Sequence, residues 1–127
     1  MLTLICGIPN AGKTTYSQKF ENVIHLDDVQ CEKGQSHIMK VCNIVKNIND
    51  DVCVEGIFLV SHQRKNLVRA AGDRHKKCIW LDTSLDECLN RENRGRNSCI
   101  IKNSCELFEP PTYDEGWDEI EIIREGE

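Results

Sequence analysis

A lysine, two threonines and several small residues near the start of the chain have the spacing of a phosphate-binding loop. The stretch GIPNAGKTT, residues 7–15 (the phosphate loop), matches the pattern GxxxxGK[ST] at every fixed position. In such loops backbone N–H groups bind phosphate oxygens, the lysine reaches the β- and γ-phosphates, and the next hydroxyl ligates Mg²⁺. We therefore expect an ATP and Mg²⁺ site with Lys13 in a catalytic role and Thr14 on the metal. The residues expected to contact the nucleotide are Gly7, Pro9, Asn10, Ala11, Gly12, Lys13, Thr14 and Thr15.

Acidic residues follow the second and third apolar runs of the sequence. A carboxylate at such a position can face the γ-phosphate and accept the proton of an attacking hydroxyl. Asp27 is the better candidate for this general base, because Asp28 begins the next segment, where aspartate is common in turns and caps. Glu55 can assist Mg²⁺ through water, orient the acceptor hydroxyl, or be an ordinary turn carboxylate.

Arginines cluster after the fourth apolar run, at Arg91, Arg94 and Arg96. Guanidinium groups neutralise the charge of a phosphoryl group during transfer, and one such arginine can change the rate by about 10³-fold or more. We expect Arg91 and Arg94, three residues apart on a helix, to project together over the phosphates. The alternative is a surface cluster that only contributes solubility.

The elements that position these residues alternate between short apolar runs and stretches of helical periodicity. This alternation predicts one α/β domain over residues 1–127, with a mainly parallel five-stranded sheet flanked by helices. Ligands of such sheets bind at the carboxyl ends of the strands, where the phosphate loop, Asp27 and Glu55 lie. The expected strands are residues 2–6, 22–26, 51–56, 77–83 and 119–123, and the expected helices are residues 13–20, 34–49, 61–72 and a segment that begins after Ser84.

Composition fits a soluble cytoplasmic protein. The sequence has 127 residues, 39% of them hydrophobic, and no run approaches the roughly 18 apolar residues of a membrane span. The first residues lack the basic region of a signal peptide. The eight cysteines have irregular spacing and no CxxC, so we expect structural thiols rather than disulfides or a metal site. Four of them lie in apolar stretches and are expected in the core: Cys6, Cys42, Cys53 and Cys78.

The net charge of -5 is distributed unevenly. From Glu106 onward nine acidic residues face one basic residue, so this part carries -8 and the rest of the chain +3. The body of the protein can therefore attract an anionic substrate. A solvated acidic tail is the alternative interpretation of the charge at the C-terminal end.

Four stretches in the same order resemble the kinase domain of polynucleotide kinases, the phage and repair-enzyme 5′-hydroxyl kinases among the P-loop kinases. They are GIPNAGKTT, HLDDVQ, CIWLDTSLDECLNRENRGR and FEPPTYDEGWDEI, and the last is the most specific. The resemblance implies a P-loop kinase fold that phosphorylates the 5′-OH of DNA or RNA with ATP. It implies that Asp27 is the general base, and that a short arginine-bearing lid covers about residues 91–105. It also implies that a closing segment, about residues 108–123, lies near the nucleotide base, with Tyr113 and Trp117 on the adenine or in the core.

The chain departs from that family on the acceptor side. Gln30 stands where the family carries an arginine, and Ile57 and Phe58 stand where it carries polar residues. Arg64 matches a family arginine that can bind an acceptor phosphate, so the resemblance implies an acceptor site of Gln30, Glu55 and Arg64. The departures favour a second possibility, a kinase of a nucleoside, a nucleotide or another small hydroxyl metabolite. A nucleotide-binding module or weak NTPase is the alternative of another class. Phe58 either stacks on a nucleobase or packs in the core.

Overall fold

The computed structural model describes residues 1–91 and 98–125. Within these residues five strands form one sheet in the order β2-β3-β1-β4-β5, and every neighbouring pair is parallel. The predicted five-stranded parallel sheet flanked by helices is confirmed. The strands are β1 (Leu2–Cys6), β2 (Val23–His25), β3 (Val52–Glu55), β4 (Lys76–Thr83) and β5 (Glu119–Glu125). The helices are α1 (Lys13–Ser17), α2 (His37–Asn47), α3 (Ser61–Ala71), α4 (Leu85–Asn90) and α5 (Ser98–Leu107), with short 3₁₀ turns at Leu26–Asp28 and Tyr113–Glu115.

The central strand β1 is buried on both faces, and its side chains alternate between two hydrophobic clusters. Leu2, Leu4 and Cys6 pack on the side of α2 and α3, while Ile5 packs on the side of α4 and α5. Each fully buried aliphatic side chain contributes about 1.5–3 kcal/mol by its removal from water. Burial on both faces explains why the sequence of β1 is a continuous apolar run rather than an alternating one.

Serine residues lie at the starts of several helices, and Ser36 and Ser84 cap the helix through a side-chain hydrogen bond. Ser36 accepts from the N–H of Met39 at 3.1 Å and caps α2, which begins at His37, three residues later than expected. Ser84 accepts from the N–H of Glu87 at 3.2 Å, so the predicted cap of α4 is confirmed. Ser61 was expected to cap α3 and is instead its first residue.

The region after β4 differs most from expectation. Helix α4 ends at Asn90, and Arg91 has an extended backbone with φ -73° and ψ 150°. The prediction that this helix carries Arg91 is therefore wrong. Helix α5 was not predicted, because serines, asparagines and cysteines interrupt its apolar pattern. It packs on the sheet through Ile101, which is 2% exposed.

The closing segment packs on α3. Trp117 is 4% exposed and belongs to the hydrophobic cluster on the α2 and α3 side. The indole N–H of Trp117 donates to Glu115 at 2.9 Å. Tyr113 is exposed, and its hydroxyl accepts from the N–H of Ile120 at 3.3 Å. The segment then returns as the terminal strand β5, as expected.

Acidic residues of β5 pair with basic residues of β4 and of the turn before it. Lys77 lies 3.0 Å from Glu121, and His75 lies 2.8 Å from Glu119. The carboxylate of Glu121 holds the pKa of Lys77 above its usual range. The C-terminal acidity is therefore partly neutralised on the sheet edge and is not wholly a solvated tail.

The cysteines of the structure are free thiols. Cys6, Cys53 and Cys78 are buried, as expected, and Cys88 is buried as well, whereas Cys42 is half-buried. No helix in the described part of the chain has both the length and the apolar character that crossing a membrane requires.

Candidate active site

A cavity of about 700 Å³ opens at the carboxyl ends of the strands. This volume lies within the range of about 300–1,000 Å³ that small-molecule sites commonly have. Residues 9–15 of the phosphate loop form one side of the cavity, and Asp27, Glu55, Ile57 and Arg91 contribute to the rest. The fold thus brings together the residues that the sequence had placed at strand ends.

Two glycines of the phosphate loop are required by the backbone. A Cβ atom at Gly7 would lie 2.8 Å from the carbonyl oxygen of Leu81, closer than real Cβ contacts. Gly12 has φ +100°, which favours glycine, and a Cβ there would lie 3.1 Å from Nη1 of Arg91. The fixed glycines of the motif therefore permit close packing against β4 and the left-handed turn into α1.

The phosphate loop is held by contacts from the β4–α4 region. The Thr83 hydroxyl donates to the carbonyl of Ala11 at 2.8 Å. The side-chain amide of Asn10 donates to the carbonyl of Cys88 at 3.2 Å, and Asn10 itself has φ 67°. Arg91 Nη1 donates to the carbonyl of Asn10 at 3.0 Å. These bonds hold the loop backbone against the end of β4 and the region of α4.

Lys13 and Thr14 are the first two residues of α1, and both line the cavity. The Lys13 Nζ donates to the carbonyl of Ile8 at 2.7 Å, so the ammonium lies across the phosphate loop. The residue is buried, whereas Thr14 is exposed and lines the cavity. Both side chains can therefore meet the phosphates of a nucleotide from the loop side.

The cavity has oxygen groups suited to Mg²⁺. The Thr14 hydroxyl and the carboxylates of Asp27 and Glu55 all line it. Mg²⁺ prefers oxygen ligands and commonly binds through one or two protein groups together with substrate phosphates. Over residues 1–91 and 98–125 no cluster of three or more His, Cys, Asp or Glu side chains could bind an ion alone. The donor set fits an ion that arrives with the nucleotide.

Asp27 lies in the 3₁₀ turn that follows β2. The buried Leu26 fixes this turn on the core, and its carbonyl accepts from Nδ1 of His37 at 2.9 Å. Asp27 is exposed and lines the cavity, whereas Asp28, in the same turn, is not among the described residues of the lining. Helix α2 begins well beyond Asp28, so this residue does not cap it.

Glu55 is the last residue of β3 and pairs in register with Ile5 of β1 and His25 of β2. It is 7% exposed and lines the cavity. Its Oε2 accepts from Nδ1 of His25 at 2.8 Å. The sequence interpretation did not single out His25, because the contact depends on the pairing of two strands that are distant in the chain.

Arg64 requires a correction. It was expected to bind an acceptor phosphate, but it is fully buried beneath the closing segment. Nε and Nη2 donate to the Glu115 carboxylate at 2.8 and 2.9 Å, and Nη1 donates to the carbonyl of Phe58 at 2.7 Å. Nη2 also donates to the carbonyl of Glu109. Arg64 organises the protein interior and is not part of the described cavity lining.

Of the other described residues expected on the acceptor side, some line the cavity and others do not. Gln30 is exposed and is not among the described residues of the lining. Phe58 is 1% exposed and packs in the core with φ 41°, so it is not available to stack on a base. Ile57 is half-buried and lines the cavity. Arg94 and Arg96, and with them most of the expected lid tip, lie outside the described residues.

Two buried cysteines that interact electrostatically with residues of the cavity lining are neutral thiols. Burial raises the pKa of Cys88 to about 11, although Arg91 and Lys13 act in the opposite direction. Burial and the Glu55 carboxylate raise the pKa of Cys53 to about 12. Neither group has the thiolate character of a reactive cysteine at neutral pH.

Comparisons with known proteins define the fold class. No protein-family model matches the sequence, and no curated protein matches it. The structure is similar to a gluconokinase from Sinorhizobium meliloti 1021, with a TM-score of 0.76 and 13% identity, over 96% of this chain and 81% of that one. It is similar to a sugar kinase from Janibacter sp. HTCC2649, with a TM-score of 0.68 and 11% identity, over 97% and 84% of the two chains.

A third similar structure is a fungal RNA kinase, with a TM-score of 0.65 and 14% identity, over 95% of this chain and 37% of that one. At these identities the similarity shows the fold. The protein has the fold of the P-loop kinases.

Proposed function

We propose that this protein is an ATP-dependent phosphotransferase that moves the γ-phosphate of ATP to a hydroxyl group, with Asp27 as the general base. The observation that carries the proposal is that Asp27 and Lys13 line one cavity from the segments that follow two different strands, β2 and β1. Strand β2 lies two positions from β1, which corresponds to about 10 Å at the usual strand spacing of about 4.8 Å. This separation leaves room for a phosphoryl group and an acceptor hydroxyl between the base and the phosphate loop.

Each group has a defined part in the transfer. Backbone N–H groups of the phosphate loop and the Lys13 ammonium bind the β- and γ-phosphates. Thr14, with Glu55 nearby, would hold Mg²⁺, which neutralises charge on the phosphate oxygens. Asp27 accepts the proton of the acceptor hydroxyl as its oxygen bonds to the γ-phosphorus, and the bond to the β-phosphate oxygen breaks to release ADP. Arg91 contacts the phosphate loop directly, and Arg94 is proposed to join it from the lid.

Asp27→Asn tests this assignment, with Asp28→Asn as the matched control in the same turn. We expect the first variant to bind ATP like the wild type and to lose about 10²–10⁴-fold in turnover, the usual contribution of a general base. Asp28→Asn should keep most of the activity. Calorimetry measures the binding and a coupled ADP assay measures the turnover. Wild-type turnover by Asp27→Asn would remove Asp27 as the base.

A 5′-OH end of DNA or RNA is one candidate acceptor. The four stretches that resemble polynucleotide kinases support it, above all the sequence of the closing segment. One of the similar structures is also an RNA kinase by name. The burial of Arg64 and the presence of Gln30 remove two cations that would help to bind acceptor phosphates.

A small hydroxyl compound is the second candidate, and the electrostatics of the acceptor side favour it. The described lining residues from the ends of β2 and β3 are Asp27, Glu55 and Ile57, which are acidic or apolar. The described cations of the lining are Lys13 at the start of α1, Lys19 in the turn after α1, and Arg91 directly after α4. A polyanion depends on cationic contacts, whereas a neutral hydroxyl compound does not. Two of the similar structures are a gluconokinase and a sugar kinase by name.

Salt dependence separates the two acceptors. Short DNA and RNA oligomers with 5′-OH ends, and a panel of nucleosides, sugars and polyols, are each offered with γ-labelled ATP. A polynucleotide kinase would label the oligomers, and its kcat/KM for them would fall steeply with added salt. A small-metabolite kinase would label one class of the panel, with a kcat/KM that changes little with salt if the acceptor is uncharged.

We also propose a cytoplasmic location. The structure contains eight free cysteines, and the cytosol is the compartment that keeps such thiols reduced.

A further inference from the structure

Among the described residues that line the cavity, Asp27 and Glu55 carry carboxylates, and Glu55 is the more deeply buried of the two. It is 7% exposed, whereas Asp27 is exposed. Its backbone is fixed beside the strand that leads into the phosphate loop, since it pairs with Ile5 and the next N–H, of Gly56, donates to the Ile5 carbonyl at 3.1 Å. Strand β3 is adjacent to β1, so Glu55 lies about 4.8 Å from β1 in the plane of the sheet. Glu55 is therefore on the nucleotide side of the cavity, whereas Asp27 is one strand further away.

The side chain of Glu55 needs a partner to hold it in one orientation. A glutamate has three rotatable side-chain bonds, and a ligand group that is not oriented by a neighbour loses much of its effect. Within the described part of the chain, the hydrogen-bond partner of this carboxylate is His25. The imidazole Nδ1 lies 2.8 Å from Oε2, and because a carboxylate accepts, Nδ1 carries the donating hydrogen.

We propose that His25 is a positioning residue for the nucleotide-bound metal ion. Its Nδ1–H fixes Oε2 of Glu55, and the carboxylate held in this way would be one of the groups that bind Mg²⁺. The inference rests on the proposed function in one respect, which is that the cavity binds ATP with Mg²⁺. Beyond that function, it assigns His25 the role of holding the Glu55 carboxylate. Carboxylates that bind metal ions are commonly oriented by such a hydrogen bond from a neighbouring residue.

An alternative role for the His25–Glu55 contact is purely structural. The two residues face each other in register across β2 and β3, and β2 is a three-residue strand at the sheet edge. A contact of this type would stabilise the edge strand without any effect on metal binding. Thermal or urea unfolding would then change in a variant, and the Mg²⁺ dependence of nucleotide binding would not.

The test uses a non-hydrolysable ATP analogue, measured by calorimetry with Mg²⁺ and again with EDTA. His25→Leu removes the donor and keeps the bulk, while His25→Asn retains an N–H donor close to the position of Nδ1. With Mg²⁺ we expect His25→Leu to bind the analogue about 10-fold more weakly and His25→Asn to stay within about 3-fold of the wild type. With EDTA all three proteins should bind alike.

A double-mutant cycle completes the design. If His25 acts through Glu55, the double variant His25→Leu with Glu55→Gln should bind the analogue with Mg²⁺ as tightly as the single variant Glu55→Gln does. Additive losses would overturn the inference, as would a wild type whose analogue binding is the same with and without Mg²⁺. Equal losses with Mg²⁺ and with EDTA would also overturn it, in favour of a structural role. Urea midpoints of each variant show whether it is folded.

The binding measurement needs no acceptor and no turnover. If no acceptor is phosphorylated while the Mg²⁺ effects hold, the proposed function fails and the role of His25 stands. If transfer occurs and His25→Leu has wild-type Mg²⁺ dependence, the role of His25 fails and the proposed function stands.

Discussion

Replacement of Arg64 by methionine should destabilise the protein strongly without a specific effect on acceptor binding. The guanidinium is 0% exposed and forms a two-point ion pair with Glu115, whose side chain is 1% exposed. It also donates to the carbonyl of Phe58, whose backbone has the unfavourable φ of 41°. Arg64→Met removes both guanidinium bonds from the buried carboxylate, to which Trp117 still donates, and it removes the bond to the carbonyl of Phe58 in the strained turn.

The expected loss of stability can be sized from this geometry. Removal of one member of a buried ion pair costs about 3–5 kcal/mol, out of about 5–15 kcal/mol for a typical domain. For a chain of this size each kcal/mol corresponds to a change in Tm of about 3–5 °C. Arg64→Met should therefore lower Tm by about 10–20 °C. With an m-value near 2 kcal/mol/M, the urea midpoint should fall by about 1.5–2.5 M.

Tryptophan fluorescence in urea is a direct assay, because both tryptophans of the sequence lie near the ion pair. Trp117 donates to Glu115, and Trp80 stacks with Phe108, over which Arg64 lies at 5.6 Å. The control is Lys65→Met, a basic residue exposed on the same helix, which should change stability by less than about 0.5 kcal/mol.

If Arg64 bound the acceptor, as first expected, its replacement would weaken acceptor binding and leave stability unchanged. An Arg64→Met protein with the urea midpoint of the wild type and a raised KM for the acceptor would refute the structural assignment. The double variant Arg64→Met with Glu115→Leu gives a second check. Removal of both charges should be less destabilising than the sum of the single changes.

Two further predictions concern titratable groups. Burial acts to raise the pKa of Glu115, but hydrogen bonds from Arg64 and Trp117 outweigh it and hold the pKa below its usual value of 4.5. Its stabilising effect is complete above that value and is lost as the pH falls through the lower folded pKa, so Glu115→Gln should flatten the acid limb of stability against pH. An unchanged slope between pH 5 and 3 would contradict this. Cys88, with a pKa raised to about 11, should react with iodoacetamide at pH 8 only after unfolding, whereas the exposed Cys99 and Cys105 should react in the native protein. Peptide mass spectrometry reads the labelled positions, and native labelling of Cys88 at the rate of Cys99 would contradict its burial.

The sequence predicted those parts of the site that depend on local patterns. The phosphate loop is a contiguous motif, and strand ends carry Asp27 and Glu55 to one edge of a parallel sheet, so their common location follows from strand order. The cap at Ser84 and the terminal strand were also recognisable because each depends on a few neighbouring residues.

The parts that were missed depend on contacts between distant segments. The structural role of Arg64 could not be predicted from its helix, because its partner Glu115 lies 51 positions later in the chain. His25 becomes relevant only when β2 and β3 are paired in register. Helix α5 has a weak apolar pattern, and its position is determined by burial of Ile101 against the sheet.

The most direct test of the account is a single transfer experiment with ATP labelled in its γ-phosphate. Wild type, Asp27→Asn and Lys13→Ala are each incubated with Mg²⁺ and the oligomers and small hydroxyl compounds described above. We expect that wild type alone moves label into an acceptor, and that release of inorganic phosphate is slow. Label that appears only as inorganic phosphate, at a rate independent of every acceptor, would contradict this expectation and would identify a nucleotide hydrolase.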